Sequence, residues 1–406
     1  MQKKRFIQRF LLLFLIGCTL LFSACGESVG TLAASAEAPS GAEKDHSTVI
    51  ILHTNDVHCA IDERLGYDGL VLYRKELEQK YDHVLLVDGG DAIQGGTYGL
   101  LSKGSVIIDL MNQAEYDIAI LGNHEFDYGF EVLDDLSEQL NCGYVCANFR
   151  TADDEPVFDA YRIIEAGVHK IGFISAVTPE AFTKTSIHAL VEDTGVPLYS
   201  FLNDDTGEKL AASIQCYVNE VREKGTDIVI LITHLGESDD EDNGYATNKL
   251  VSRVRGIDAV IDGHSHTTYS NRLVDPDGRE IVTAQTGEKL AEIGRMDIAA
   301  DGTITSQLID RVPEPEGLPF LTVARRNGEV CVDADMNRLI QEKILEYTPV
   351  IDRKIGEVAF DLLYCSEVGI DFGRSEETGL ANLLFDAYRS VGGGGSFPGD
   401  RRNGTE

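Results

Sequence analysis

The sequence predicts an α/β fold built on a mixed β-sheet with both faces covered. Three observations predict it. Near-continuous Val/Ile/Leu runs recur in "VIILHTNDVH", "HVLLVDGGD", "DIAILGNHEFD", "DIVILITHLG" and "DAVIDGHSH", the composition of strands buried on both sides. Helical patterns lie between several of them, over 69–81 and 209–225. After the last run, the turn signals "DPDG" (275–278) and "ADGT" (300–303) separate strand-like "EIVTAQT", "RMDIAA" and "ITSQLID". They add an antiparallel portion.

Residues 1–25 precede that fold. A basic "MQKKRFIQRF" is followed by apolar "LLLFLIGCTLLFSAC", and the uncharged run from Phe10 to Cys25 is 16 residues. That is short of the roughly 20 a spanning helix needs, so the segment reads as a signal peptide. "LFSAC" resembles a bacterial lipoprotein box with Cys25 as the lipidated residue; ordinary cleavage near Ala24 is the alternative. Residues 26–46 are Ala/Ser/Gly-rich without aromatics and read as a flexible tether. The expectation is an extracytoplasmic protein, at a bacterial surface or in a periplasm, held to the membrane through Cys25. Six of the eight cysteines follow the leader, none in a C-x-x-C pair. Cys142 and Cys146 could pair or stay free thiols.

At 406 residues, with 43% hydrophobic and 25% charged, the chain is long enough for more than one domain. Its formal net charge of −33 argues against nucleic-acid polymers and anionic membrane surfaces as electrostatic partners. An anionic substrate would need a local source of positive charge. The main domain is expected over 47–320, closed by "RVPEPEGLP" (311–319). A linker helix over 331–352, ended by Pro349, follows it. Residues 353–391 read as the start of a second domain, and 392–406 as a disordered tail. The four-acid run in "GESDDEDNGY" (236–245) reads as a solvated loop.

The chemistry collects where the apolar runs end. Ligands of open α/β sheets bind beyond the carboxyl ends of the strands. Five such ends deliver Asp56, His58, Asp91, Asn123, His124, His234, His264 and His266. A closed zinc site needs four ligands, and seven good candidates point to two ions. Asp91, directly after Gly89 and Gly90, suits a shared carboxylate. One ion would take Asp56, His58 and His266 with Asp91; the other would take Asn123, His234 and His264 with Asp91. Mixed Asp/His/Asn sites accept Zn, Mn, Fe or Co.

"DVH", "GGD", "GNHEFD", "THLG" and "GHSH" resemble, in order and spacing, the five motifs of the calcineurin-like metallophosphoesterases. "HTNDVH" and "GNHEFDYG" are close to the wording of the 5′-nucleotidase branch, and the resemblance runs from about Thr48 to Tyr388. It implies a sandwich of two mixed β-sheets flanked by helices, with the same seven ligands and Asp91 as the bridge. It also implies hydrolysis of phosphomonoesters, with a nucleotide or other small phosphoester as substrate. His124 then faces the phosphate, and Asp127, three residues on, orients it; the alternative for Asp127 is a helix cap. Glu125 reads as structural, His53 as a core or supporting residue, and Asp88 as support for the site.

Members of that branch carry a second domain that reads the substrate. Here 353–391 resembles its opening, and Arg374 matches an arginine that contacts substrate phosphate. After Val391 the resemblance stops, and a truncated or frame-shifted ending is the expectation. Competing readings are a 2′,3′-cyclic nucleotide phosphodiesterase, a nucleotide-sugar hydrolase, or an inactive, surface-tethered binding protein.

Overall fold

Ten strands and six helices position the site, and they begin with the apolar run at 49–52. In chain order they are β1 (Asp45–Thr54), α1 (Gly66–Glu78), β2 (Tyr81–Asp88), α2 (Gly96–Ser102), α3 (Ser105–Ala114), α4 (Phe130–Gln139), β3 (Tyr161–Ala166), β4 (His169–Val177), α5 (Glu208–Glu223), β5 (Ile228–His234), β6 (Ala259–Ile261), β7 (Thr268–Val274), β8 (Glu280–Thr286), β9 (Ile293–Ile298), β10 (Ile304–Ile309) and α6 (Ala334–Ile351). The computed structural model describes residues 44–184, 190–191, 196–240, 243–309, 324–326, 329–354, 357 and 378–391. The leader, most of the tether, the final tail, "IGEVAFDLLY" and Arg374 lie outside the described residues, wholly or in large part. The chain divides into two compact units, Met1–Tyr347 and Thr348–Glu406.

Within the first unit the strands form two mixed sheets. The smaller has the order β10-β9-β1-β2, with β1 and β2 parallel and the other neighbours antiparallel. The larger has the order β7-β8-β6-β5-β4-β3, with a parallel centre and antiparallel edges. Alternate residues of each sheet meet in one core: Val49, Ile51 and Met296 from the first lie with Phe173, Ile230 and Ile261 from the second. The opposite face of the first sheet packs its Ile50, Leu52 and Leu86 with Leu70, Ile107 and Met111 of the helices. The opposite face of the second packs Val229 and Leu231 against Leu210, Ile214 and Val218 of α5. The layers therefore run helix, sheet, sheet, helix. Burial on both faces explains why these strands read as unbroken apolar runs rather than alternating ones.

The helix expected over 331–352 begins later, at Ala334, with Cys331 in a short strand (Glu329–Cys331), and Pro349 does not end it; the helix continues to Ile351. Proline removes one backbone donor and crowds the carbonyl four residues before it, and here only two helical residues follow it. Its first turns belong to the sandwich: Met336 and Ile340 are buried in the helix-side core, and Asn337 Nδ2 donates to Asp68 Oδ2 at 2.8 Å. In the second unit the described residues include a further helix, α7 (Gly379–Val391). Cys142 and Cys146 are free thiols.

Candidate metal centre

The five motifs converge at the carboxyl ends of parallel strands. Asp56 and His58 follow β1, Asp91 follows β2, His234 ends β5, and His264 and His266 follow β6. Asn123 and His124 follow a short strand at Ala119–Ile120 that continues the first sheet beyond β2 through a bridge between Val87 and Ile118. Two groups result. Asp56, His58 and His266 offer ligand atoms within 4.8 Å of one another, and so do Asp91, His234 and His264. Asp91 Oδ2 lies between them, 4.0 Å from His58 Nε2 and 3.0 Å from His234 Nε2. His58 Nε2 and His266 Nε2 face each other at 3.0 Å.

The backbone is bent sharply to achieve this. Asp56, His58, Asp91, His264 and His266 all have positive φ, between 49° and 82°. Non-glycine residues adopt that region at a cost, and its concentration here is the pattern of a functional site. Two glycines permit the loops to touch. A Cβ on Gly122 would lie 2.2 Å from Asp91 Oδ1, and one on Gly263 would meet His234 Nδ1 at 2.7 Å and Gly89 O at 2.8 Å.

Buried partners hold each group. His234 Nδ1 donates to Gly89 O at 2.8 Å, which aims Nε2 at Asp91, and His58 Nδ1 is held by Gln94 O at 3.1 Å. Asn55 donates from Nδ2 to Asp56 Oδ2 at 2.6 Å, while its own Oδ1 accepts from the Thr286 main chain and hydroxyl. Asp262, fully buried, accepts from Thr233 Oγ1, Tyr269 Oη and Gly263 N before the GHSH turn. Glu125 accepts main-chain hydrogen bonds from Gly122, Asp91, Ala92 and Ile93. Sequence reading missed Asn55 and Asp262. Their only signal is adjacency to a motif, which does not distinguish a support from a spacer.

His124 donates from Nδ1 to Asp127 Oδ2 at 2.8 Å, across a 3₁₀ turn (His124–Phe126), and its main-chain N donates to Asp91 Oδ1 at 2.7 Å. Its ring centroid is 5.4 Å from that of His58. Burial pulls His124 down, but the hydrogen bond to Asp127 and the nearby carboxylates outweigh it and hold it above its ordinary value. Asp88 donates no ligand atom to either group; its Oδ2 accepts from Gly90 N at 2.9 Å, and burial with the Glu125 charge keeps its carboxyl well above the usual range. His53 is fully buried on β1, with neither ring nitrogen hydrogen-bonded, and burial pushes it down to about 3.

Two observations test whether the residues fit cations. Asn123 Oδ1 is buried with no hydrogen-bond partner. The large majority of buried side-chain polar atoms are satisfied, so this oxygen marks the place of a missing partner. The donor set is also short of positive charge. Burial alone would depress His234, yet Asp91 and Asp56 raise it to about 10. Carboxylates that draw a proton onto a buried imidazole are a site that accepts cations. The residues fit.

A model of the calcineurin-like phosphoesterases matches residues 49–268, more than half of the chain. The chain belongs to the calcineurin-like phosphoesterase family. Within this family it is similar to 5′-nucleotidases. It is 27% identical over 377 residues to a snake venom 5′-nucleotidase of Crotalus adamanteus, covering 84% of this chain and 58% of that protein. It is 30% identical over 254 residues to a 2′,3′-cyclic-nucleotide 2′-phosphodiesterase/3′-nucleotidase of Haemophilus influenzae, covering 55% of this chain and 36% of that protein. The phosphoesterase chain therefore spans little more than half the length of the first of these relatives, and less of the second. Its fold matches the crystal structure of a 5′-nucleotidase precursor from Thermus thermophilus, with a TM-score of 0.64 at 22% identity, over 85% of this chain and 68% of that one. Beside the phosphoesterase centre a cavity of about 250 Å³ opens onto His264, walled by Thr178, Glu180, Leu235, Glu237 and Tyr245. Gly236, Glu237, Ser238, Asn243 and Tyr245 thus form part of a wall next to the site.

Proposed function

We propose that this chain is a dinuclear-metal phosphoesterase that hydrolyses nucleotides, in the manner of a 5′-nucleotidase. One observation carries the reading: Asp91 Oδ2 faces a histidine of each candidate ligand group, which is the placement of a bridging carboxylate. Asp56, His58 and His266 would hold one cation with Asp91, and Asn123, His234 and His264 would hold the other with Asp91. A bound pair supplies Lewis acidity, a water of lowered pKa, and local positive charge inside an acidic protein. His124, fixed at Nδ1 by Asp127, presents Nε2 to the phosphoryl group, where it stabilises developing charge or protonates the leaving oxygen. Residues 353–391, Arg374 among them, contribute to reading the substrate. The leader exports the chain, and Cys25 anchors it to the outer side of a membrane.

The test is release of phosphate from p-nitrophenyl phosphate with Mn²⁺, Zn²⁺ and Co²⁺. Wild type is expected to turn over and Asp91→Ala to be inert. Equal inertness with all three metals would sink the enzyme reading, and calorimetry would then distinguish a metal-binding protein without turnover. A second reading, hydrolysis of 2′,3′-cyclic nucleotides, is favoured by the 30% identity to the Haemophilus influenzae relative. A panel of AMP, 2′,3′-cyclic AMP and UDP-glucose separates them by relative kcat/KM.

A further inference from the structure

Three histidines of the centre, His58, His234 and His264, are held in two different ways. His58 and His234 are held at Nδ1 by main-chain carbonyls, which leaves Nε2 facing the carboxylates. His264 is the reverse: its Nε2 lies 2.9 Å from the carboxylate oxygen Oε2 of Glu180. An imidazole donating from Nε2 has only Nδ1 left to offer. We propose that Glu180 is a positioning residue of the metal centre, which holds His264 in the Nε2–H tautomer and turns Nδ1 toward Asp91 and His234. The inference rests on the reading of Asp91, His234 and His264 as a cation-holding group.

The surroundings of Glu180 suit that task. It follows the end of β4 in "VTPE", a segment outside the five motifs. Thr178 N donates to His234 O at 3.0 Å, and Glu180 N donates to Thr178 Oγ1 at 3.2 Å. The turn that carries Glu180 is therefore fastened to the backbone of another candidate ligand. His264 is held at both ends: its main-chain N donates to Asp56 Oδ2 at 3.0 Å, and its ring is held by Glu180. Its ring stands edge-on to His234 with centroids 5.3 Å apart. A carboxylate behind a ligating histidine fixes its tautomer and raises its basicity more than a carbonyl does. The side chain of Glu180 is 45% exposed along the cavity wall, so the metal-free fold depends little on it.

The experiment uses the full chain, stripped of metal and titrated with Co²⁺ by calorimetry and visible absorption, for wild type, Glu180→Ala and Glu180→Gln. Glu180→Ala is expected to weaken one of the two Co²⁺ affinities by about 10–100-fold. It should also alter the Co²⁺ absorption bands and leave the Tm of the metal-free protein unchanged. Glu180→Gln, whose amide oxygen can accept the same hydrogen bond, should recover most of the affinity. Wild-type affinities and bands in Glu180→Ala would overturn the proposal. So would a lowered metal-free Tm with both affinities falling together and no recovery in Glu180→Gln, which assigns a structural role. A wild type that takes up no Co²⁺ removes the cation reading itself, and Glu180's role with it.

Discussion

Glu125 shows how much one side chain can organise. Its two carboxylate oxygens accept from four main-chain donors, those of Gly122, Asp91, Ala92 and Ile93, at 2.6–3.3 Å. It ties the loop after β2 to the loop that carries Asn123 and His124. Burial and the neighbouring Asp91 charge push its carboxyl above the usual carboxylate range. Glu125→Ala leaves those buried donors without an acceptor, at about 1–3 kcal/mol for each unsatisfied group. The expected loss is about 3 kcal/mol or more in urea unfolding of the metal-free protein; a loss under about 0.5 kcal/mol would show that the loops hold without it. Its neighbour His124 makes a different prediction, because its side chain is hydrogen-bonded to Asp127 and ties no second loop in place. His124→Ala should lower kcat on p-nitrophenyl phosphate by about 10²–10⁴-fold, the usual contribution of a positioned acid or base. Metal affinity by calorimetry should stay within a few-fold of wild type, and a kcat within a few-fold would remove His124 from the mechanism.

At the scale of elements, the adjacent parallel strands β4 and β5 share a charged clasp at their amino ends. His169 on β4 donates from Nδ1 to Asp227 Oδ2 at 2.5 Å and from Nε2 to Ala299 O at 2.8 Å. Both ring nitrogens face acceptors, an arrangement that only the protonated imidazole satisfies. Burial opposes the charge, but these hydrogen bonds and the Asp227 charge outweigh it and hold His169 above its ordinary value. A group raised in the folded state contributes stability that is fully present below its unfolded value, about 6.5, and is lost as pH rises through the folded value. Wild type should therefore lose stability relative to His169→Gln as pH rises above about 6.5 and through the raised folded value, in parallel urea titrations. Two curves with the same pH dependence would show that the clasp carries no charge.

At the scale of the molecule, α6 shows that the first compact unit extends past the sandwich. Met336 and Ile340 fill the helix-side core, and Lys343 pairs with Asp109 on α3. Met336→Ala is expected to destabilise the first unit by about 2–5 kcal/mol, the cost of a buried large-to-small change. A change below about 1 kcal/mol in urea unfolding would mean that the helix docks loosely. The net charge of −33 also acts on the whole molecule, through self-repulsion of the compact state. Bound divalent cations relieve it at the centre and stabilise the folded state by mass action, about 2.7 kcal/mol at a hundredfold excess over Kd. Added Mn²⁺ should raise the Tm of wild type and not that of Asp91→Ala; an equal rise in both would place the binding elsewhere.

The sequence by itself determined the fold class and the family. Hydrophobic runs of strand length, separated by 3.6-periodic segments, leave few ways to bury both faces, and "EIVTAQT" is β8 from end to end. Polar residues at five strand ends made the candidate ligands legible because their chemistry is rare after an apolar run. Tertiary structure decided what those residues face. Adjacency in sequence could not show that Asn55 holds Asp56, that Glu125 gathers donors from two loops, or that Glu180 reaches His264 from 84 positions away. Nor could it show the left-handed backbone at Asp56, His58 and Asp91, since those residues adopt it only under the constraint of neighbouring loops. Strand formation is driven by local pattern and burial, whereas the orientation of a buried polar side chain depends on partners supplied by distant parts of the chain.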